Sequence, residues 1–273
     1  MEHGILVLFG NQACLPEDPL IAARALSLRT TVLSSACNYS SPLVDRYHQI
    51  SLRDPSDVIE LACRLYSEEP FHGVLTYDDE TVPLAARIAD RIGLKSQPVE
   101  AADAARDKAL MKRCFERAAL PIAPYALVTG VDHAAEWAAG SGYPVVVKPV
   151  RGSASQGVIR ANNEHELREA YHRVHRIVRG TGRDPGDRPD IELLVETYLD
   201  GCEFSVELLV QAGEPRILCT FEKPLPLCGP FFEETFYITP PRIAVEQRAV
   251  IEALAVQAVG ALDLRHGAAH CEV

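Results

Sequence analysis

Hydrophobic and polar positions follow two different rhythms along this chain. Over the first hundred residues, short apolar runs at 5–9, 31–34 and 73–76 are separated by stretches of helical period at 19–28, 57–66 and 81–92. An apolar run followed by an amphipathic helix, repeated, predicts parallel strands joined by crossover helices, so this part reads as a small α/β domain. From Pro98 the pattern changes. Residues 103–119 read as one charged amphipathic helix stopped by Leu120 and Pro121, and a short extended run at 125–128 precedes a helix starting near Asp132.

The β-branched run 143–150, bounded by prolines, predicts a strand, and a loop at 151–157 turns it into a second strand at 158–161. Asn163 with Glu166 three residues on has the form of a capping box. Leu167, Ala170, Tyr171, Val174, Ile177 and Val178 then recur at helical spacing up to about Gly180. Residues 181–190, rich in glycine, proline and charge, read as a surface excursion. Strands at 191–195 and 204–210 and a helix at 245–260 complete the pattern, and no internal repeat is visible.

Composition narrows the classes. With 273 residues, 47% of them hydrophobic, the chain can bury a large core or several lobes around one cleft. A formal net charge of −11 argues against a binder of nucleic-acid backbones, which needs a basic surface. The eight cysteines (14, 37, 63, 114, 202, 219, 228 and 271) include no C-x-x-C pair and read as reduced thiols. The apolar run 5–9 is too short for a signal peptide, and no later stretch approaches a membrane span. The expectation is a soluble cytoplasmic protein.

Two segments carry candidate chemistry. Lys148 ends a strand just before a loop of small residues, Gly152, Ser153, Ala154, Ser155, Gln156 and Gly157. Such a loop lets backbone N–H groups approach phosphate oxygens while the lysine adds a point charge. The spacing of Gly152 and Gly157 matches a P-loop, but Val158 and Ile159 stand where that motif needs lysine and serine or threonine. The Walker reading therefore fails, and an ordinary hairpin turn remains the alternative. Further on, Glu203, Ser205 and Glu207 alternate with Phe204 and Val206 on one strand, giving it a polar face that is either solvated or part of a site.

Taken in order, Asp107-Lys108, residues 142–149 with Lys148, the small-residue loop, Glu196 followed by Thr197, Tyr198 and Leu199, residues 201–207 with Glu203 and Glu207, and His270-Cys271-Glu272 resemble the ATP-grasp superfamily. The resemblance is nearest to its L-amino-acid ligase and biotin carboxylase side. It implies an α/β fold, α+β in the ATP-grasp part: a Rossmann-like N-terminal domain (1–97), a central lobe (98–197, with a nucleotide-covering subdomain at about 123–196), and the start of a C-terminal lobe (198–273) whose remainder is expected to be missing. It also implies ATP and Mg2+, with Mn2+ as a substitute, small-molecule carboxylate and amine substrates, and a homodimer. By the same resemblance Lys108, Lys148 and the loop residues Gly152, Ser153, Ser155 and Gly157 hold phosphates. Glu196 and the backbone of Thr197, Tyr198 and Leu199 read the adenine edge, and Glu203 takes the ribose hydroxyls. Glu272 is implied as the first magnesium carboxylate and, with Lys148, as catalytic; a second carboxylate and an asparagine are expected shortly after it.

The reaction so implied is carboxylate–amine ligation through an acyl phosphate, with release of ADP. The alternatives are a non-catalytic ATP-binding module and a carboxylase-like enzyme activating bicarbonate. Lys223, Glu234 and Tyr237 are implied as substrate contacts. Phe236 and Tyr237 replace the glycine and histidine of L-amino-acid ligases, which predicts a bulkier, more apolar pocket wall. Two histidine groups invite a metal reading. His165, His172 and His175 fall among arginines on the charged side of their helix, which favours a solvated face, and zinc at His266, His270, Cys271 and Glu272 is disfavoured by the strand pattern there.

Overall fold

The computed structural model describes residues 3–10, 17–36, 41–181, 192–224, 229–232 and 236–273. Glu234, Cys14, Cys37, Cys228 and most of the excursion after Thr181 lie outside them. The chain divides into two compact units, one of residues 1–106 with 264–267 and one of residues 107–263 with 268–273.

In the first unit, β1 (Gly4–Phe9), β2 (Arg29–Ser34), β3 (Arg46–Gln49) and β4 (Gly73–Thr76) form a parallel sheet in the order β3-β2-β1-β4. The sheet is flanked by α1 (Glu17–Ala25), α2 (Pro55–Glu68), α3 (Val82–Ile92) and α4 (Val99–Arg106). Alternate residues of β1 serve different cores. Leu6 and Leu8 pack with Val58, Ala62, Leu84 and Ile88, whereas Val7 and Phe9 pack with Leu20 and Val32. A strand covered on both faces has no place for polar side chains, which is why its sequence reads as an unbroken apolar run.

The helix expected over 103–119 is two helices, α4 and α5 (Lys108–Arg117). The break is Asp107. Its backbone is extended and its side chain accepts hydrogen bonds from the Ala109 and Leu110 amides, each at 3.0 Å, as an N-cap does. Because the cap satisfies the new helix start, the periodicity runs across the junction although the helix does not. The cap also sets Lys108 and Lys112 one turn apart on the same side of α5.

The second unit holds two antiparallel sheets. In the first, β5 (Tyr125–Val128), β6 (Val145–Pro149), β7 (Ile159–Ala161) and β8 (Leu193–Thr197) lie in the order β5-β8-β6-β7. Val128, Val145, Val147, Leu193 and Val195 point to one face, where α6 (Val131–Ser141) and α7 (Glu164–Thr181) cover them with Ala134, Ala138, Leu167, Ala170, Tyr171 and Val174. The other face therefore carries the alternate residues, Tyr125, Val146, Lys148, Leu194 and Glu196. The Asn163 and Glu166 cap starts α7, with Glu166 N donating to Asn163 Oδ1 at 3.0 Å.

The second sheet has the order β10-β9-β11, from β9 (Glu203–Gln211), β10 (Glu214–Lys223) and β11 (His266–Glu272). Helix α8 (Val245–Ala261) covers the face bearing Phe204, Val206, Leu208 and Thr220, and Thr220 Oγ1 donates to Glu252 of α8 at 2.7 Å. Glu203, Ser205 and Glu207 are on the opposite face. Among the described residues, no helix is long and apolar enough to cross a membrane.

Candidate functional site

On the face of the first sheet turned away from α6 and α7, three charges meet. Glu196, on the central strand β8, is paired across β6 with Val146, so Lys148 two residues along projects beside it. Lys148 Nζ donates to Glu196 Oε1, and Lys112 Nζ of α5 sits 2.8 Å from Glu196 Oε2. The side chains are 12%, 13% and 17% exposed for Lys112, Glu196 and Lys148. Burial pushes the Glu196 carboxyl up, but the charges of Lys148 and Lys112 outweigh it and hold the group below the usual carboxylate range. The triad keeps one positive charge in excess, which suits an anionic ligand.

The loop after β6 is tied to the same helix. Lys108 N donates to the Val150 carbonyl at 3.0 Å, Lys108 Nζ to the Gly152 carbonyl at 3.1 Å, and Arg151 Nε to the capping Asp107 at 3.2 Å. Within the loop, Gln156 N donates to Ser153 O and Val158 N to Ser155 O. Ala154 and Ser155 both have left-handed backbones, at φ 53° and 52°, a conformation that residues with a Cβ adopt at a cost. Gly157 is needed as glycine: φ is +77°, and a Cβ would meet Pro149 Cγ at 3.1 Å.

The strand end after Glu196 is more committed than its sequence implies. Thr197 N donates to Pro124 O and Tyr198 N to Pro144 O, so those two amides are already used, and Leu199 is 68% exposed. The Tyr198 ring stacks on Phe232 and lies under the Arg160 guanidinium, 4.2 Å from ring centroid to Cζ.

The polar face of the second sheet gathers a second charged group. Lys223 pairs across the sheet with Glu203 and donates to its carboxylate, and its Nζ lies 2.7 Å from Glu272 Oε1. With a side chain 4% exposed, Lys223 is a buried cation held by two carboxylates. Phe204 and Val273 exchange hydrogen bonds at 2.8 Å in both directions, an antiparallel pairing that sets Ser205 opposite Glu272 and Glu207 opposite His270. His270 Nδ1 contacts Glu207 Oε1 at 2.6 Å, and Nε2 is 3.8 Å from Glu272. Glu272 is the main cause of a His270 imidazole pushed up to about 9, against burial and with Glu207 adding to it. In turn His270, ahead of Lys223, holds Glu272 down to about 2. Burial raises the neighbouring Cys271 thiol to about 11, so it is a poor nucleophile.

Tyr237 joins this face through a bridge between Glu222 and Ile238, with its ring edge-on to Phe221 and 5.6 Å from Lys223 Nζ. Ser205, 1% exposed, has a buried Oγ with no hydrogen-bond partner. The structure thus brings Lys223, Glu203, Glu272 and Tyr237 together on one sheet, and Lys148, Glu196 and the Lys108-tethered loop on the other. Sequence reasoning gave Lys112 no role, and assigned none individually to Ser205, noted as part of a polar strand face, or to His270, noted in the family motif and weighed for zinc. Lys112 could have been found from its i,i+4 spacing to Lys108. Among the described residues no group of three or more His, Cys, Asp or Glu side chains is placed to hold a metal ion by itself, and His165 and His172 lie exposed on α7.

Comparison with known proteins bears on both halves. Residues 20–95 match the ATP-grasp N-terminal domain family and residues 141–273 match the ATP-grasp domain family. The chain belongs to the ATP-grasp superfamily. Its architecture is the two-domain α/β arrangement of that superfamily, an N-terminal pre-ATP-grasp domain leading into the ATP-grasp fold. An L-amino acid ligase from Bacillus licheniformis has a similar structure, with a TM-score of 0.80 and 26% identity over 99% of this chain and 63% of that one. In sequence, the chain is 27% identical to the ATP-grasp enzyme fsqD of Aspergillus fumigatus over 77% of its length, and 34% identical to a D-alanine–D-alanine ligase of Marinobacter nauticus over 41%. It spans 36% and 31% of the length of those two relatives.

Proposed function

We propose that this ATP-grasp chain serves an ADP-forming carboxylate–amine ligase. The observation that carries the reading is the pair of charged faces within one compact unit: a lysine-rich triad beside a small-residue loop on one sheet, and a buried lysine among carboxylates on the other. The first suits a triphosphate, and the second suits the carboxylate to be activated and the cation that accompanies ATP.

In this reading Lys108 and Lys148 neutralise phosphate oxygens, and the loop with Gly152, Ser153, Ser155 and Gly157 lies against them. Since the Thr197 and Tyr198 amides are engaged, the Leu199 amide and the carbonyls of this stretch are left to read the adenine edge. Glu203 faces the ribose side, its charge balanced by Lys223. A magnesium ion takes one or two carboxylates and completes its shell with phosphate oxygens and water. The half-exposed Glu272 fits as one such ligand, with the unpartnered Ser205 hydroxyl opposite it, and no cage built only from protein is required. When bound, the ion would neutralise charge developing on the transferred phosphoryl group.

The substrate carboxylate oxygen attacks the γ-phosphorus, the bond to the β,γ-bridging oxygen breaks, and ADP leaves. An amine nitrogen then attacks the acyl carbon of the resulting acyl phosphate, the C–O bond to phosphate breaks, and the nitrogen gives up a proton to solvent. The protein's part is positioning and charge neutralisation, since phosphorylation itself supplies the leaving group. Lys223 and Tyr237 line the substrate side, where the Phe221 and Tyr237 rings favour an acid or amine with an apolar group; Glu234 is assigned there from the sequence alone. Cytoplasmic location and a homodimer complete the proposal.

The test is a screen of carboxylates for ADP release by the complete protein, with and without amines. ADP formation that needs a carboxylate and yields an amide supports the reading. Bicarbonate-dependent ADP formation with no amide product would replace it with a carboxylase.

A further inference from the structure

We propose that Lys112 is a positioning residue for nucleotide binding, holding Glu196 neutralised so that Lys148 can be given to the triphosphate. The inference rests on the ATP-binding reading above and adds a residue that has no part in it.

Strand order separates the two lysines. Glu196 stands on β8, between β5 and β6; Lys148 is on β6, the strand that runs into the 151–157 loop, and Lys112 reaches Glu196 from the β5 side. There Lys112 Nζ also lies 3.4 Å from the Ala123 carbonyl and 4.9 Å from the Tyr125 ring centroid, and Tyr125 is the β5 partner of Glu196. Each carboxylate oxygen takes one lysine, Oε1 from Lys148 and Oε2 from Lys112. Lys112 is thus fixed on the far side of the anion from the loop.

This division answers a charge problem. Lys148 cannot turn to a phosphate and remain the counter-ion of Glu196 at full strength. Were it the sole counter-ion, moving it would strand a carboxylate that is 13% exposed, and buried unpaired charges are strongly disfavoured. With Lys112 on the second oxygen, Glu196 keeps a partner throughout, and Lys148 is released at little cost. Lys112 therefore favours ATP without touching it.

The experiment is a double-mutant cycle on the complete protein, with the ATP dissociation constant read by calorimetry. Lys112→Gln is expected to weaken ATP binding about tenfold, Lys112→Arg to stay within about threefold of wild type, and Lys112→Gln in a Glu196→Gln background to change affinity less than about twofold, because the anion it served is gone. A loss of equal size in both backgrounds would mean that Lys112 meets the nucleotide directly or acts only on folding, and would overturn the proposal. So would unaltered affinity in Lys112→Gln. If Lys112→Gln does not fold, Lys112→Arg is read against wild type and Glu196→Gln/Lys112→Arg against Glu196→Gln: a loss of more than about threefold in both comparisons overturns the proposal, and a change within about threefold in each supports it. Wild-type protein that binds no ATP at all would sink the nucleotide reading first, and this inference with it.

Discussion

Removing the shared anion of the triad should destabilise the second unit by a predictable amount. In Glu196→Ala, Lys112 and Lys148 are left facing each other with side chains only 12% and 17% exposed. At 2.8 Å the Lys112–Glu196 attraction is about 6 kcal/mol for an effective dielectric of ~20, much of it offset by desolvation. Breaking a buried pair by deleting one partner costs about 3–5 kcal/mol, and the residual solvent access of both lysines puts this case near the lower end, about 3 kcal/mol. For a urea slope of about 2–3 kcal/mol/M, the midpoint falls by about 1 M. Trp137 is the single tryptophan and packs against the core beneath this sheet, so its fluorescence reports the unfolding of that core. The control is the triple replacement Lys112→Met, Glu196→Met and Lys148→Met, which removes charge and counter-charge together and should lie within about 1 kcal/mol of wild type. A Glu196→Ala midpoint within about 0.2 M of wild type would refute the reasoning.

Three further outcomes are expected. Lys148→Ala should weaken ATP binding and suppress ADP release, as measured by nucleotide titration and a coupled assay; unchanged turnover would remove Lys148 from the phosphate site. Glu272→Gln should shift the magnesium titration of ADP release to higher concentration, and superimposable titrations would exclude Glu272 as a ligand. Because the Glu196 carboxyl is held below its ordinary value, its stabilising contribution is complete above about pH 4.5 and is lost as pH falls through the depressed value. Urea midpoints measured from pH 7 down to 3 should therefore fall more steeply for wild type than for Glu196→Gln, and parallel curves would contradict the assigned shift.

Much of the fold was legible because burial leaves a periodic trace. The apolar runs of β1, β2 and β4, the capped start of α7 and the β-branched β6 are each specified by their own residues. β3 was not read, since Arg46, Tyr47, His48 and Gln49 lie at a sheet edge with little apolar content. The α4–α5 break was missed because an N-cap leaves helical spacing intact on both sides of Asp107. The site was harder to read for a different reason. Lys148 and Glu196 are 48 positions apart and Lys223 and Glu272 are 49, so their pairing depends on register between strands, which no local pattern encodes. For Lys112 the sequence offered only its i,i+4 spacing to Lys108, which does not say that α5 crosses the face that carries Glu196.

The central claim is that a carboxylate is activated by phosphoryl transfer from ATP, and an oxygen label tests it most directly. With an 18O-labelled carboxylate substrate, an amine and ATP, the account predicts one labelled oxygen in the inorganic phosphate for each amide formed, carried there when the acyl phosphate C–O bond breaks. Phosphate without label, or label appearing in a nucleotide monophosphate, would contradict it.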